Sequence, residues 1–139
     1  MSLNSYRELE VWQFGIRLTK QVYEVTRTFP KQELYALCSQ MQRAAVSIPA
    51  NNAEGHARSS TKEFLHHLLI ARGSLAELET MLTIAEELGY CISSATSPIL
   101  QLCDRVSRML AGLRRHLNEK IQRDHEPRVP RPPSPAPRP

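Results

Sequence analysis

The sequence predicts an all-α fold, an antiparallel up-down-up-down four-helix bundle, on three observations. Four long segments carry apolar residues three and four positions apart, the spacing that lines one face of a helix. The connections between them are short, and short connections between long helices favour antiparallel neighbours. Alternating β-branched runs and Asn-Gly turns, the marks of strands and hairpins, are absent. A chain of 139 residues suffices for one domain with a single hydrophobic core.

The first segment, about residues 5–28, stops at Phe29-Pro30. The second, about 32–57, starts after Pro30, which ends one element and can open the next. Its apolar positions are Leu34, Leu37, Cys38, Met41, Ala45 and Ile48. The third, about 61–88, opens with Ser60-Thr61-Lys62-Glu63, the S-x-x-E form of a capping box, and ends at Gly89, a natural left-handed stop. Phe64, Leu68, Ala71, Leu75, Leu78, Leu82 and Ala85 give it an unbroken 4-3-4-3 seam. The fourth, about 96–122, follows the polar stretch Ser93–Ser97, with Pro98 expected in its first turn, and carries Ile99, Leu102, Val106, Met109, Leu113 and Leu117.

Residues 123–139 are a different material. Seven of the ten prolines lie here (Pro127, Pro130, Pro132, Pro133, Pro135, Pro137, Pro139), with four arginines and almost no apolar side chains. Such a segment cannot build a core and is expected to be a disordered, extended, basic tail. The division is thus a bundle over 1–122 and a tail over 123–139.

The first helix carries more apolar surface than a core needs. At about 100° per residue, Leu9, Trp12, Ile16 and Tyr23 share one side, while Val11, Phe14, Leu18, Val22, Val25 and Phe29 share another. Either this helix is buried more deeply than its partners, or one stripe packs the core and the other a second subunit. The second choice makes the protein a homo-oligomer, with Val11, Phe14, Leu18, Val22 and Val25 as the interface stripe, because an exposed apolar strip of that length invites association.

Net charge is +4, and it is unevenly placed. Residues 61–92 hold Glu63, Glu77, Glu79, Glu86 and Glu87 against Lys62 and Arg72, whereas the fourth helix is basic. Arg105, Arg108 and Arg115 fall within about 80° of one another, opposite its leucines. This row is a solvated face, or one paired with the acidic third helix of a neighbour, or else a contact for the phosphates of RNA or DNA, which guanidinium groups bind without reading sequence. No aromatic residue is interleaved with these arginines in the sequence, so base stacking is not indicated.

Catalytic patterns are not found. Glu63-x-x-His66 is half of a dimetal motif with no second copy, and no Gly-rich phosphate loop or nucleophile elbow occurs. Hence no metal, no cofactor and no enzyme activity is expected. Cys38, Cys91 and Cys103 are odd in number and lack CxxC spacing, as expected for idle thiols in a reduced, cytoplasmic setting. The N-terminus lacks an apolar signal, and no run approaches a membrane span. Pro49 within the second helix removes a hydrogen bond and frees the carbonyl of Ala45. A kink is expected there, with Asn51 and Glu54 either as local caps or as a small polar recognition surface.

At this segment the chain resembles a known family. Arg43-Ala44-Ala45-Val46-Ser47-Ile48-Pro49-Ala50-Asn51, followed by Ala53-Glu54-Gly55, is similar to the signature of four-helix bundle proteins encoded in intervening sequences of bacterial 23S ribosomal RNA genes. Tyr6-Arg7-Glu8-Leu9-Glu10-Val11-Trp12-Gln13, Lys62-Glu63-Phe64 and Gly73-Ser74-Leu75-Ala76-Glu77-Leu78-Glu79-Thr80 support it, over residues 5–117. The chain departs from the pattern at Asn52, where the family has an apolar residue, and at His56-Ala57. The resemblance implies a bacterial, cytoplasmic, left-handed bundle assembling as a homopentamer. It also implies kinship with accessory proteins of diversity-generating retroelements, which bind nucleic acid and a reverse transcriptase. The expected function is therefore a non-enzymatic, nucleic-acid-associated accessory or scaffold protein; the alternative is a protein-protein scaffold with no nucleic-acid role.

Overall fold

The computed structural model of the chain describes residues 5–125 and 131–138. Four α-helices account for most of them: α1 Glu10–Thr26, α2 Leu37–Ala57, α3 Thr61–Glu87 and α4 Ser93–His125. Short 3-10 turns occupy Tyr6–Glu8 and Lys31–Glu33, and no strand occurs among the described residues.

The ends of α3 follow from local chemistry. Ser60 Oγ accepts a hydrogen bond from the Glu63 N–H at 3.1 Å, satisfying one of the open donors of the first turn. At the other end Gly89 takes φ +76°, and the chain closes with Tyr90 N–H to Ala85 O at 2.9 Å and Gly89 N–H to Glu86 O at 3.0 Å. This is the Schellman pattern, for which glycine carries no Cβ penalty.

Several boundaries differ from expectation, beginning with α1, which starts at Glu10 after the Tyr6–Glu8 turn and ends at Thr26. Residues 31–36 form a turn and not the start of α2; Glu33 Oε2 accepts from the Leu37 N–H at 3.3 Å. Leu34 is accordingly exposed instead of lying in the seam. α4 begins at Ser93, so Pro98 sits in its second turn. The polar stretch is helical because Ser93 Oγ and Thr96 Oγ1 both donate to the Glu86 carboxylate at 2.7 Å. Those two hydrogen bonds hold the Glu86 carboxyl below the usual glutamate range.

α4 continues to His125, so the expected boundary at residue 122 falls inside a helix. Residues 131–138 carry no helix or strand and are exposed. The remainder of the expected tail, 126–130 and 139, lies outside the described residues.

The core draws on all four helices. Leu18, Val22, Met41, Ala45, Ile48, Leu78, Leu82, Cys103 and Val106 are buried. The seam expected in α3 is there, with only Phe64 half-buried.

The assignment of Val11, Phe14, Leu18, Val22 and Val25 to an oligomer interface is corrected. Val11, Leu18, Val22 and Val25 are buried within the single chain, with Leu18 and Val22 at 0% exposure, and Phe14 is half-buried. Their stripe is the core stripe of α1. The reason is Gly15, which completes the series Val11, Gly15, Leu18, Val22, Val25 with the same 4-3-4-3 spacing as α3. A Cβ on Gly15 would lie 3.2 Å from the Cβ and Cδ of Pro49, so glycine lets the proline ring seat against α1. Ile16 and Tyr23, of the other stripe, face outward at 45% and 40% exposure.

α2 runs through Pro49 unbroken. The Ala45 carbonyl that Pro49 leaves open lies 3.2 Å from Thr19 Oγ1 of α1, whose single proton is shared with Gly15 O at 2.8 Å. Between α1 and α2, the Cys38 thiol also donates to Thr26 O and Gln42 Nε2 to Thr26 Oγ1.

Asn52 violates the polar accounting of the core. It is 0% exposed, and neither its Nδ2 nor its Oδ1 meets a hydrogen-bond partner among the described residues. A buried amide without partners forfeits its hydration. Leu has the same branching at Cγ and no polar atom, so Asn52→Leu is expected to raise stability by about 1–3 kcal/mol. Urea denaturation measures this directly, and a lowered midpoint would refute the account.

Candidate nucleic-acid interface

Arg105, Arg108 and Arg115 all project from the exposed side of α4, as its periodicity requires. Their surroundings differ. Arg108 pairs with Asp104 one turn earlier, N to O at 2.9 Å, with both side chains well exposed. Such a surface i, i+4 pair is worth only about 0.3–0.5 kcal/mol, so it leaves Arg108 available to a stronger anion. Arg115 shares a shallow surface with Arg114, Asn118 and Glu119.

Arg105 lies against another helix. Its guanidinium carbon is 4.3 Å from the ring centroid of Phe14 in α1, and that of Arg17 is 4.8 Å from the same ring. Packing of α4 on α1 thus supplies the aromatic neighbour that the linear sequence does not show. Phe14–Arg17 is an i, i+3 pair readable from sequence, but the approach of Arg105 is not.

The cationic surface also extends past the three expected residues. Arg72 of α3 and Arg114 of α4 line one narrow cleft. Where the α2–α3 turn meets α4, a cleft of about 360 Å³ gathers His56, Arg58, His116 and Lys120 over Phe64 and Leu117. Arg58 is bridged to Glu54 at 2.8 Å. The sequence does not show these residues as neighbours because they sit on different elements.

The polar groups near Pro49 turn inward to each other. Asn51 Nδ2 donates to Ser47 O at 2.8 Å, and Asn51 Oδ1 accepts from His67 Nδ1 of α3 at 2.9 Å. Ser74 Oγ donates to Ser47 Oγ at 2.8 Å. Pro49 is buried and Glu54 is exposed beside Arg58. The Asn51 amide is engaged on both atoms along the α2–α3 seam.

The thiols are poor nucleophiles. Burial, aided by the nearby Glu79 carboxylate, pushes the Cys103 thiol up to about 12, and burial likewise raises Cys38 and Cys91. All three are free and buried. Glu63 and His66 are exposed, and among the described residues no group of three or more His, Cys, Asp and Glu is placed to share a metal ion. No described helix is long and apolar enough to cross a membrane.

Fold and surface together define a four-helix protein with a row of exposed cations on the outer side of its last helix. The chain belongs to the 23S rRNA-intervening sequence protein family, whose sequence model matches residues 7–112. That span holds Arg17, Arg105 and Arg108 and stops short of Arg115 and the proline-rich tail. The comparison with curated proteins found no match.

Proposed function

We propose that this chain is a non-enzymatic, homo-oligomeric helical bundle of the cytoplasm that associates with nucleic acid as an accessory or scaffold protein. One observation carries the reading: Arg105, Arg108, Arg115 and Lys120 lie on the outer side of α4, and Arg108 alone among them is ion-paired in the described residues. Contacts of this kind hold phosphates without selecting bases. The partners are further copies of the chain, RNA or DNA, and a protein acting on nucleic acid, such as a reverse transcriptase. A pentamer is the assembly favoured by the family resemblance.

The bundle in this reading is left-handed and runs alternately up and down. Pairings of Gly15 with Pro49, Thr19 with Ala45 and Thr26 with Gln42 support the alternation for α1 and α2, and those of Gly55 with Phe64 and Ser47 with Ser74 for α2 and α3. Self-association is supported by Ile16 and Tyr23 on α1 and Val46 on α2, all of them exposed apolar or aromatic side chains.

Retention of labelled RNA and DNA over a salt series tests the reading. Binding is expected to weaken steeply with salt, and an Arg105/Arg108/Arg115→Ala triple variant to lose up to about 2–3 units of the log–log slope. An identical slope in the variant, or no retention by the wild type near 50 mM salt, counts against it.

A further inference from the structure

Arg17 and Arg105 come from different helices, yet both guanidinium carbons lie within 5 Å of the Phe14 ring centroid. They are therefore less than about 10 Å apart, and both side chains are exposed. Neither has a carboxylate within 4 Å among the described residues, since Asp104, the acid beside Arg105, is engaged by Arg108. Two cations at this distance repel each other. The electron-rich face of the ring attracts each of them and offsets part of that repulsion. A guanidinium stacked over a ring also keeps its N–H donors available around its edge, where they match the oxygens of a phosphate.

We propose that Arg17, Phe14 and Arg105 form a phosphate clamp for a nucleic-acid strand: the ring aligns two guanidinium forks, and each donates to non-bridging oxygens of the same or neighbouring phosphates. This rests on the nucleic-acid reading above and deepens it by naming where the backbone is gripped and by which atoms. The strand's closely repeated charges, one every 3.4 Å of axis, satisfy two forks at once. Arg108 and Arg115 continue from Arg105 on the outer side of α4, so a strand held at the clamp finds further cations along the helix. Phe14 acts by positioning: it touches the arginines and not the phosphate.

Fluorescence anisotropy of the full chain with a labelled single-stranded RNA and a labelled duplex DNA, across about 50–200 mM salt, tests the clamp. Arg17→Ala and Arg105→Ala are each expected to weaken binding about five- to tenfold near 0.1 M salt and to reduce the log–log slope by about 0.7 on the single strand or 0.9 on the duplex. Phe14→Leu retains both charges, so it is expected to lower affinity with the slope nearly unchanged, a signature that loss of a charge does not produce. Arg17→Lys, which keeps the charge without the planar fork, is expected to behave like Phe14→Leu. If the wild type binds and Arg17→Ala retains its affinity and slope, the clamp is overturned while the broader reading stands. If the wild type binds neither probe, both fall. If Arg17→Ala instead lowers the sedimentation coefficient and spares RNA binding, the two arginines join copies of the chain and the clamp is wrong.

Discussion

Leu18→Ala is expected to lower the stability of the chain by about 2–5 kcal/mol, the range for truncating a fully buried leucine. Leu18 is 0% exposed and sits in the α1 series that also buries Val11, Val22 and Val25. Its removal leaves an apolar cavity that four packed helices can only partly close. The result is a lowered urea midpoint at unchanged slope. The companion change, Ile16→Ser or Tyr23→Ser, alters a side chain that is 45% or 40% exposed. It is expected to shift stability by no more than about 0.5 kcal/mol while reducing the sedimentation coefficient of any oligomer. The opposite pairing, with Leu18→Ala dissociating an oligomer at an unaltered midpoint, would show that the stripe faces a partner and that the burial account is mistaken.

Gly55 gives the second large effect, and there the sign is informative. In a helix, Ala is favoured over Gly by about 1 kcal/mol, so propensity alone predicts that Gly55→Ala stabilises. A Cβ at this position would sit 2.8 Å from His67 Cβ and 2.9 Å from Phe64 Cδ1, with the Phe64 carbonyl oxygen at 3.3 Å. None of these is the free end of a flexible chain, so α2 must lift from α3. Overpacking costs about 1–3 kcal/mol and at times more. Gly55→Ala should therefore be a net loss, and Gly55→Val should lose about 3 kcal/mol. Gly73→Ala is the control: nothing lies within 4 Å of its Cβ, so it should gain up to about 1 kcal/mol. Thermal melts of the three variants decide the matter. A stabilised Gly55→Ala would mean that α2 and α3 do not approach as closely as described.

Legibility in the sequence followed the range of the forces involved. α3 was readable almost residue by residue because its seam, the Ser60 cap and the Gly89 stop are interactions within one helix and its flanks. The α4 cations were readable as an outward row for the same reason: helical periodicity alone puts Arg105, Arg108 and Arg115 opposite the leucines. Elsewhere the deciding contacts were distant in sequence. α2 begins at Leu37 because Lys31–Glu33 must turn the chain, and α4 begins at Ser93 because Glu86 of α3 binds its first hydroxyls. The three pieces of polar chemistry around Pro49 likewise depended on partners in other helices, with Thr19 from α1 and His67 and Ser74 from α3.

By itself, the sequence determined that this chain is a four-helix protein of the 23S rRNA-intervening sequence family, with a basic last helix and one helix carrying two apolar stripes. Only the tertiary structure decided which stripe turns inward, because the choice depends on Gly15 admitting Pro49. It alone brought Arg105 onto the Phe14 ring that Arg17 already neighbours within α1. The physical reason is common to both. Hydropathy along a helix states how much apolar surface must be covered, but the identity of the cover is settled by how closely two backbones can approach once all four helices pack together.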